Sequence, residues 1–157
     1  MESAIGLHFL GLELGETFSV VNIYGSYINR IPFWETILSD PLLSGDSIIL
    51  GGDFNFTMGQ TEVWGPRVHV DTLSDYFTQL LMDKQMLDIQ PIILKPTWRN
   101  KRSGEGRVAK RLDRFLVTEH LVDGPLMMRQ WVGNGGASDH FPIFWKFAKD
   151  PATLRVP

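Results

Sequence analysis

The spacing of apolar residues divides the chain into predicted strands and helices. Two strand-like runs, at residues 7–14 and 17–24, flank a short turn that contains Gly15, and together they predict a β-hairpin. The continuous run Ile48-Ile49-Leu50, closed by two glycines, predicts a buried strand. Four further strands are predicted at residues 91–98, 111–117, 127–132 and 141–147.

Two other segments carry the apolar spacing of helices. A short helix is predicted at residues 33–38, opened by Pro32. A longer helix is predicted at residues 71–87, with Asp71 or Thr72 as its N-cap. Residues 58–70 have no apolar period and predict a loop. The mixture of strands and helices predicts an α/β fold.

Length and composition narrow the functional classes. At 157 residues and 43% hydrophobic content, the chain suits one domain with a sizeable core. It has no cysteine, which excludes disulfides, thiolate metal ligands and cysteine catalysis. No apolar run approaches the roughly 20 residues that span a bilayer, and the apolar start lacks the basic residues of a signal peptide. Nothing in the sequence separates a nuclear from a cytoplasmic protein.

A basic segment stands out against an acidic background. The overall net charge is -3, whereas the segment from Arg99 to Arg114 holds seven basic and two acidic residues, a local charge of +5. Such a run is either a solvated face or the tip of a hairpin that contacts nucleic acid, since two predicted strands flank it. The residues predicted to bind nucleic acid are Trp98, Arg99, Lys101, Arg102, Arg107, Lys110 and Arg111.

Five polar residues are candidates for chemistry. Asp53 and Asn55 follow the buried strand two residues apart, which puts both side chains on one face if the strand continues. They could hold a metal or a water, or they could be ordinary turn residues. Asp139 and His140 follow a glycine turn, where alone they would be a turn cap and a loop histidine. Asp113 lies in a strand-like alternation, where the structural alternative is a salt bridge to a neighbouring arginine.

Three sequence motifs occur together in a fixed order. They are Gly52-Asp53-Phe54-Asn55, Leu112-Asp113-Arg114-Phe115 and Ser138-Asp139-His140, with Asn22-Ile23-Tyr24 upstream. In this order they resemble the endonuclease/exonuclease/phosphatase superfamily, which includes deoxyribonuclease I-like nucleases, abasic-site endonucleases and inositol-polyphosphate phosphatases. The amino-acid sequence of Pro96-Thr97-Trp98 and of residues 111–115 is most similar to the endonuclease domain of non-LTR retrotransposons, in the form common in plants.

The resemblance implies phosphodiester hydrolysis that depends on Mg²⁺ or Mn²⁺, with DNA as the partner. In the family, the residue matching Asp53 orients or deprotonates the attacking water, and the residue matching Asn55 hydrogen-bonds the phosphate. His140 matches a histidine that contacts the scissile phosphate and is held by an acid matching Asp113. Asp139 matches an acid near the metal, so the resemblance implies Asp53 and Asp139 as metal ligands.

The resemblance covers only the C-terminal part of the family's fold, a four-layer α/β sandwich. Residues 1–150 match that part, and residues 151–157 are expected to be a tail. The family's metal-binding glutamate lies in the N-terminal part that this chain lacks, so weak metal binding and an uncovered, self-associating sheet face are expected. Tyr24 matches a tyrosine that approaches the phosphate, whereas Tyr27 stands where the family usually has an asparagine.

Two other functions are compatible with the same residues. The chain could be a non-catalytic retrotransposon-derived remnant that at most binds nucleic acid through the basic hairpin. It could also be a phosphatase of the same superfamily, because basic residues suit a soluble phosphate ester as well as DNA. Loss of the glutamate favours the remnant, whereas retention of the three downstream motifs favours activity.

Overall fold

Ten strands and three helices make up the part of the chain described by the structure, a computed structural model covering residues 3–11, 16–123 and 126–149. The strands are β1 (Ser3–Gly11), β2 (Glu16–Tyr24), β3 (Ile48–Asp53), β4 (Val63–Trp64), β5 (Met86–Asp88), β6 (Trp98–Arg99), β7 (Ala109–Lys110), β8 (Asp113–Thr118), β9 (Leu126–Val132) and β10 (Ile143–Lys149). The helices are α1 (Arg30–Leu38), α2 (Ser74–Asp83) and α3 (Glu119–Asp123), and short 3₁₀ turns occur at Pro41–Leu43, Gln60–Glu62 and Gly104–Gly106. None of the described helices is long and apolar enough to cross a membrane.

A five-stranded sheet in the order β1-β2-β3-β8-β5 forms the centre of the fold. The strands β2 and β3 run parallel, and the other neighbouring pairs are antiparallel. Ile48, Ile49 and Leu50 of β3 are all buried, which is why this central strand appears in the sequence as a continuous apolar run. The predicted antiparallel pairing of the first two strands and the predicted buried strand are therefore confirmed, although β1 begins at Ser3, and the predicted turn at Gly15 lies outside the described residues.

Helices α1 and α2 cover one face of the central sheet. Leu50 of β3 belongs to the same buried cluster as Trp34 of α1 and Phe77 of α2. The ring of Trp34 stacks on Phe54, which directly follows β3, with ring centroids 5.1 Å apart. Burying each large apolar side chain of this kind contributes about 1.5–3 kcal/mol. The cluster thus holds the end of β3, and the polar residues after it, in one position.

The hairpin of β9 and β10 covers part of the opposite face. Trp145 and Phe147 of β10 pack against a second buried cluster that contains Phe18 and Val117. The side chains of β1 on this face are less covered: Ile5, Leu7 and Phe9 are 65%, 58% and 48% exposed. Phe9 lies directly opposite Phe18 in the register, so the expected apolar patch is present and continues the second cluster.

A third, small sheet carries the basic segment. It has the order β4-β7-β6, and β6 and β7 form the hairpin predicted around residues 99–111. An isolated bridge joins Trp98 of β6 to His140, which lies between β9 and β10. The basic hairpin is therefore attached to the segment that carries the candidate histidine.

Several predicted boundaries are wrong. The helix expected at residues 71–87 ends at Asp83, because Gln85 has a left-handed φ of 51° and the chain then enters β5. The helix begins at Ser74 with Leu73 as its N-cap, and the Asp71 carboxylate, which pairs with Arg30, also accepts a hydrogen bond from the Leu73 amide at 3.0 Å. The strand expected at residues 91–98 is reduced to the two residues of β6, and the helix α3 lies within no predicted element. The expected tail, residues 151–157, lies outside the described residues.

Candidate active site

Three predicted site residues lie side by side across the central sheet. The register pairs Tyr24 of β2 with Asp53 of β3, and pairs Asp53 with Asp113 of β8. Two glycines allow the backbone to take the path that it follows at this end of the sheet. A Cβ atom on Gly25 would lie 2.5 Å from the carbonyl oxygen of Phe54, and Gly52 has a φ of 136°, so both positions require glycine.

Hydrogen bonds hold the turn after β3 against the end of β2. The Asp53 Oδ1 atom accepts a hydrogen bond from the Asn55 amide at 3.0 Å, and Asn55 Nδ2 donates to the Gly25 carbonyl at 2.6 Å. The Asn55 backbone is left-handed, with a φ of 53°, a conformation that asparagine tolerates better than most residues. Asp53 Oδ2 and Asn55 Oδ1 are buried and have no hydrogen-bond partner among the described residues. Both oxygens therefore keep unused capacity to accept a hydrogen bond or to bind a cation.

His140 joins this row of residues from the loop between β9 and β10. Its Nδ1 atom lies 2.9 Å from Asp113 Oδ2, within hydrogen-bonding distance, and its Nε2 atom lies 3.8 Å from Asp53 Oδ2. Asp113 thus orients the imidazole and leaves Nε2 directed toward Asp53. The structure brings together four of the five predicted catalytic residues through direct contacts, and places Tyr24 next to them in the register.

The environment shifts the proton affinities of this group. Burial raises the pKa of Asp53 to about 6, and the negative charge of Asp113 adds to the increase, while hydrogen bonding from Asn55 and the charge of His140 oppose it. The hydrogen bond with Asp113 raises the pKa of His140 above its ordinary value, against the opposing effect of burial. A carboxylate with a pKa near 6 beside an imidazole with a raised pKa is suited to accepting and donating protons near neutral pH.

Comparisons with known proteins identify the fold. No family model matches the sequence. A Xenopus laevis protein, the Transposon TX1 uncharacterized 149 kDa protein, is 25% identical over 124 residues, which are 74% of this chain and 9% of that protein. The endonuclease domain of TRAS1, a telomere-specific non-LTR retrotransposon, superposes with a TM-score of 0.61 at 18% identity, over 93% of this chain and 63% of that chain. The chain has a deoxyribonuclease I-like fold.

Two structures of a bacterial enzyme share this deoxyribonuclease I-like fold with the chain. The 3′-5′ exonuclease NExo from Neisseria meningitidis has a TM-score of 0.63 at 19% identity, over 83% of this chain and 61% of the enzyme. A second structure, titled as the 3′ phosphatase NExo bound to product DNA hairpin, has a TM-score of 0.61. The chain therefore spans less than two thirds of these domains, and the predicted α/β sandwich fold is confirmed.

The fold places Asp139, a predicted metal ligand, in a different interaction. Its Oδ2 atom accepts a hydrogen bond from Trp98 Nε1 at 2.9 Å, and this bond lowers the pKa of the exposed carboxyl group. Among the described residues, no group of three His, Cys, Asp or Glu side chains is arranged to hold a metal ion. The donor set that fits Mg²⁺ or Mn²⁺ consists of the two unpartnered oxygens of Asp53 and Asn55, with water or phosphate as the remaining ligands.

The predicted nucleic-acid-binding residues divide into exposed and buried members. Arg99, Lys101, Arg102 and Arg107 are exposed and line one concavity at the tip of the hairpin. The Arg99 guanidinium lies 5.0 Å from the ring centroid of Phe141, so the hairpin contacts the residue that follows His140. Trp98 and Lys110 are half-buried at its base.

Arg111 is the exception, and its predicted role in nucleic-acid binding is wrong. It is fully buried, as is Arg114, and both guanidinium groups pair with Glu62 and Asp88 at 2.5 to 2.9 Å. The two arginines therefore neutralise two carboxylates inside the fold, and neither is available to a phosphate. The salt bridge considered for Asp113 is likewise replaced by its contact with His140.

Two residues near the site are absent from the predicted set. Thr97 is fully buried, and its hydroxyl accepts hydrogen bonds from the amides of Leu112 and Asp113. Tyr27 is 63% exposed. The partial burial of its phenol and the negative charge of Asp53 both raise the pKa of this group. Both positions stand out in the sequence, because Pro96-Thr97-Trp98 is similar to the retrotransposon endonucleases and Tyr27 stands where the family usually has an asparagine. Neither similarity predicts the contacts that the two side chains make.

Proposed function

We propose that the chain hydrolyses phosphodiester bonds in DNA with the help of a divalent cation. The observation that supports this function most directly is the continuous arrangement of Asp113, His140 and Asp53, in which each side chain lies within 4 Å of the next. Relatedness in sequence to a transposon protein and the deoxyribonuclease I-like fold favour nucleic acid as the substrate.

Each residue of this arrangement has a distinct task in the proposed reaction. Asp53 accepts the proton of the attacking water, because its Oδ2 atom is unpartnered and its pKa of about 6 leaves it ionised at neutral pH. Asp113 keeps the imidazole of His140 oriented and favours its protonated form. Nε2 of His140 then donates a hydrogen bond to a phosphate oxygen, where negative charge develops. Asn55 holds the turn through Gly25 and presents Oδ1 beside Asp53.

Asn55 Oδ1 and a second lone pair of the unpartnered Asp53 Oδ2 would hold the divalent cation, and water and phosphate oxygens would fill the remaining positions. When bound, such a cation supplies positive charge to the phosphoryl oxygens and lowers the pKa of a coordinated water. Two protein ligands are few for a dedicated site, although Mg²⁺ often binds through one or two carboxylates and keeps several waters. Weak binding, in keeping with the expectation from sequence, is therefore part of the proposal.

Nicking of supercoiled plasmid by the purified chain tests the proposal. With Mg²⁺ or Mn²⁺ in excess, we expect the wild-type protein to produce open circles and a chelator to stop the reaction. His140→Ala should reduce the rate by about 10²-fold or more, because it removes the hydrogen-bond donor to the phosphate oxygen. His120→Ala is the matched control, since this exposed histidine lies in α3, beyond the far end of β8 from Asp113.

Two results would contradict the proposal. One is a rate that His140→Ala leaves unchanged, which would indicate a contaminating nuclease. The other is the absence of metal-dependent nicking in a protein that binds DNA, which would favour the non-catalytic remnant. That alternative rests on a specific observation, the lack of a third metal-binding side chain near Asp53 in the described part of the chain. Release of 3′-terminal phosphate from DNA should be assayed in parallel to test the phosphatase alternative.

A further inference from the structure

Thr97 lies where the basic hairpin, the start of β8 and the histidine loop meet. It precedes β6, its side chain is completely buried, and it belongs to none of the groups assigned to the reaction above. A buried hydroxyl needs hydrogen-bond partners, and its partners here belong to the active site.

The contacts of Thr97 reach both members of the pair formed by Asp113 and His140. Its Oγ1 atom accepts hydrogen bonds from the amide of Leu112 at 2.9 Å and from the amide of Asp113 at 2.8 Å. Its carbonyl oxygen accepts a hydrogen bond from the amide of Phe141, the residue after His140, at 2.7 Å. One residue is thus bonded to the backbone that carries the acid and to the backbone that carries the histidine.

We propose that Thr97 is a positioning residue that sets the distance between Asp113 and His140. The consequence for catalysis rests on the proposed function, whereas the consequence for the imidazole does not. The hydroxyl acts as a double acceptor that fixes the backbone at the entry to β8, and the carbonyl fixes the loop after His140. Together they hold the two side chains at their hydrogen-bonding distance of 2.9 Å.

The chemistry of the hydroxyl explains why an apolar side chain of the same shape cannot replace it. Valine at position 97 would leave the amides of Leu112 and Asp113 buried without an acceptor, which costs free energy unless the backbone moves. Such a movement changes the position of the Asp113 carboxylate relative to His140. Because the hydrogen bond with Asp113 is the largest cause of the raised pKa of His140, that pKa should report the movement.

Three variants separate this role from a general loss of packing. Thr97→Val removes the acceptor and keeps the shape, and Thr97→Ser keeps the acceptor and removes a methyl group. Thr57→Val is the matched control, because Thr57 is also buried and its hydroxyl has no hydrogen-bond partner among the described residues. The pKa of His140 is measured in each metal-free protein by NMR titration of the imidazole signals, assigned by comparison with His140→Ala.

The proposal gives different results for the three variants. Thr97→Val should lower the pKa of His140 toward 6.5, its ordinary value, and reduce the nicking rate about tenfold or more. Thr97→Ser and Thr57→Val should keep the wild-type pKa and lose less than about threefold in rate. In the wild-type protein, the amides of Leu112, Asp113 and Phe141 should exchange slowly with solvent, a measurement that needs no variant.

The contrary results are equally specific. A folded Thr97→Val protein with the wild-type His140 pKa would overturn the proposal, as would a Thr97→Ser protein as impaired as Thr97→Val. If Thr97→Val does not fold, free exchange of any of the three amides in the wild-type protein would overturn it. If the wild-type chain does not nick DNA but the His140 pKa responds as expected, the positioning role stands and the proposed function fails.

Discussion

At the scale of single residues, Asp53 combines a structural cost with a chemical advantage. Its carboxyl group is buried, one of its oxygens has no partner, and Asp113 lies beside it in the register. An ionised carboxylate in such a place destabilises the folded protein. The same features raise its pKa to about 6, close to the pH at which a general base works best.

Replacing this carboxylate should therefore stabilise the protein while it removes activity. Asp53 binds its proton more tightly in the folded state, so the free energy of unfolding falls as pH rises from about 4 to about 6, and the full cost is present above that window. We expect Asp53→Asn to raise the free energy of unfolding by about 3 kcal/mol at pH 8 and to leave it nearly unchanged at pH 4. Urea unfolding at the two pH values measures the difference.

An exposed aspartate provides the control for this prediction. Asp46→Asn changes an exposed aspartate and should alter the free energy of unfolding by less than about 0.5 kcal/mol at either pH. Equal destabilisation of Asp53→Asn at both pH values would mean that the side chain has a packing role and that its charge costs nothing.

The sequence was informative about the site residues that belong to motifs. Asp53, Asn55, Asp113 and His140 were each predicted, and they contact one another in the fold. Arg111 was misassigned because the basic run counts charge along the chain and says nothing about the direction of each side chain. The buried partners of that arginine, Glu62 and Asp88, come from distant segments.

At the scale of elements, the run around β8 alternates between two environments. Arg111 and Arg114 are directed into a buried ion-pair network, whereas Asp113 between them faces His140. Breaking one side of a buried network leaves uncompensated charge in the interior, which is more costly than losing a surface ion pair. The network therefore holds the strand that carries Asp113, and neither of its arginines contacts Asp53 or His140.

Two arginine variants should separate stability from DNA binding. Arg111→Ala should reduce the free energy of unfolding by about 3–5 kcal/mol, because Glu62 and Asp88 then lose a buried partner. Arg107→Ala, in the exposed hairpin, should change stability by less than about 0.5 kcal/mol. It should instead weaken DNA binding and reduce the slope of log affinity against log salt by about 1. Urea unfolding and DNA titration at several salt concentrations make the comparison.

Reversed results would contradict this division of roles. A stable Arg111→Ala protein with a reduced salt slope would return Arg111 to the nucleic-acid interface. An Arg107→Ala protein with unchanged DNA affinity at every salt concentration would support the alternative that the hairpin is an ordinary solvated face.

The elements themselves were predictable to different degrees for physical reasons. The hairpin of β1 and β2, the buried strand β3, the helix α1 and the hairpin strands β9 and β10 follow from apolar spacing alone. The segment at residues 91–98 has strand-like composition, yet Ile92 and Ile93 are 76% and 66% exposed, and prolines at both ends remove backbone donors. Composition identified apolar residues there, but only tertiary pairing decides which of them become a strand.

At the scale of the whole molecule, the strand β1 presents a row of exposed apolar side chains. Ile5, Leu7 and Phe9 are exposed on the face that β9 and β10 cover elsewhere. Contiguous exposed apolar surface of this kind promotes association. We therefore expect the purified chain to self-associate as its concentration rises, as the sequence also predicted.

Sedimentation velocity across a range of protein concentrations tests this expectation. Leu7→Lys should shift the distribution toward the monomer, because it places a charge at the centre of the patch. Met82→Lys is the control, since Met82 is 66% exposed on α2, away from β1, and should leave the distribution unchanged. A wild-type protein that sediments as a monomer at all concentrations would contradict the prediction.

The order of strands in the central sheet also has a kinetic consequence. Asp53 meets Asp113 only when β3 pairs with β8, a contact that spans 60 positions of the chain, whereas β1 and β2 are neighbours in sequence. Long-range pairings close large loops and form late in folding. We therefore expect Asp53 and Asp113 to come together after the local hairpin has formed, so a refolding chain should recover the proposed nicking activity only when the whole sheet is complete.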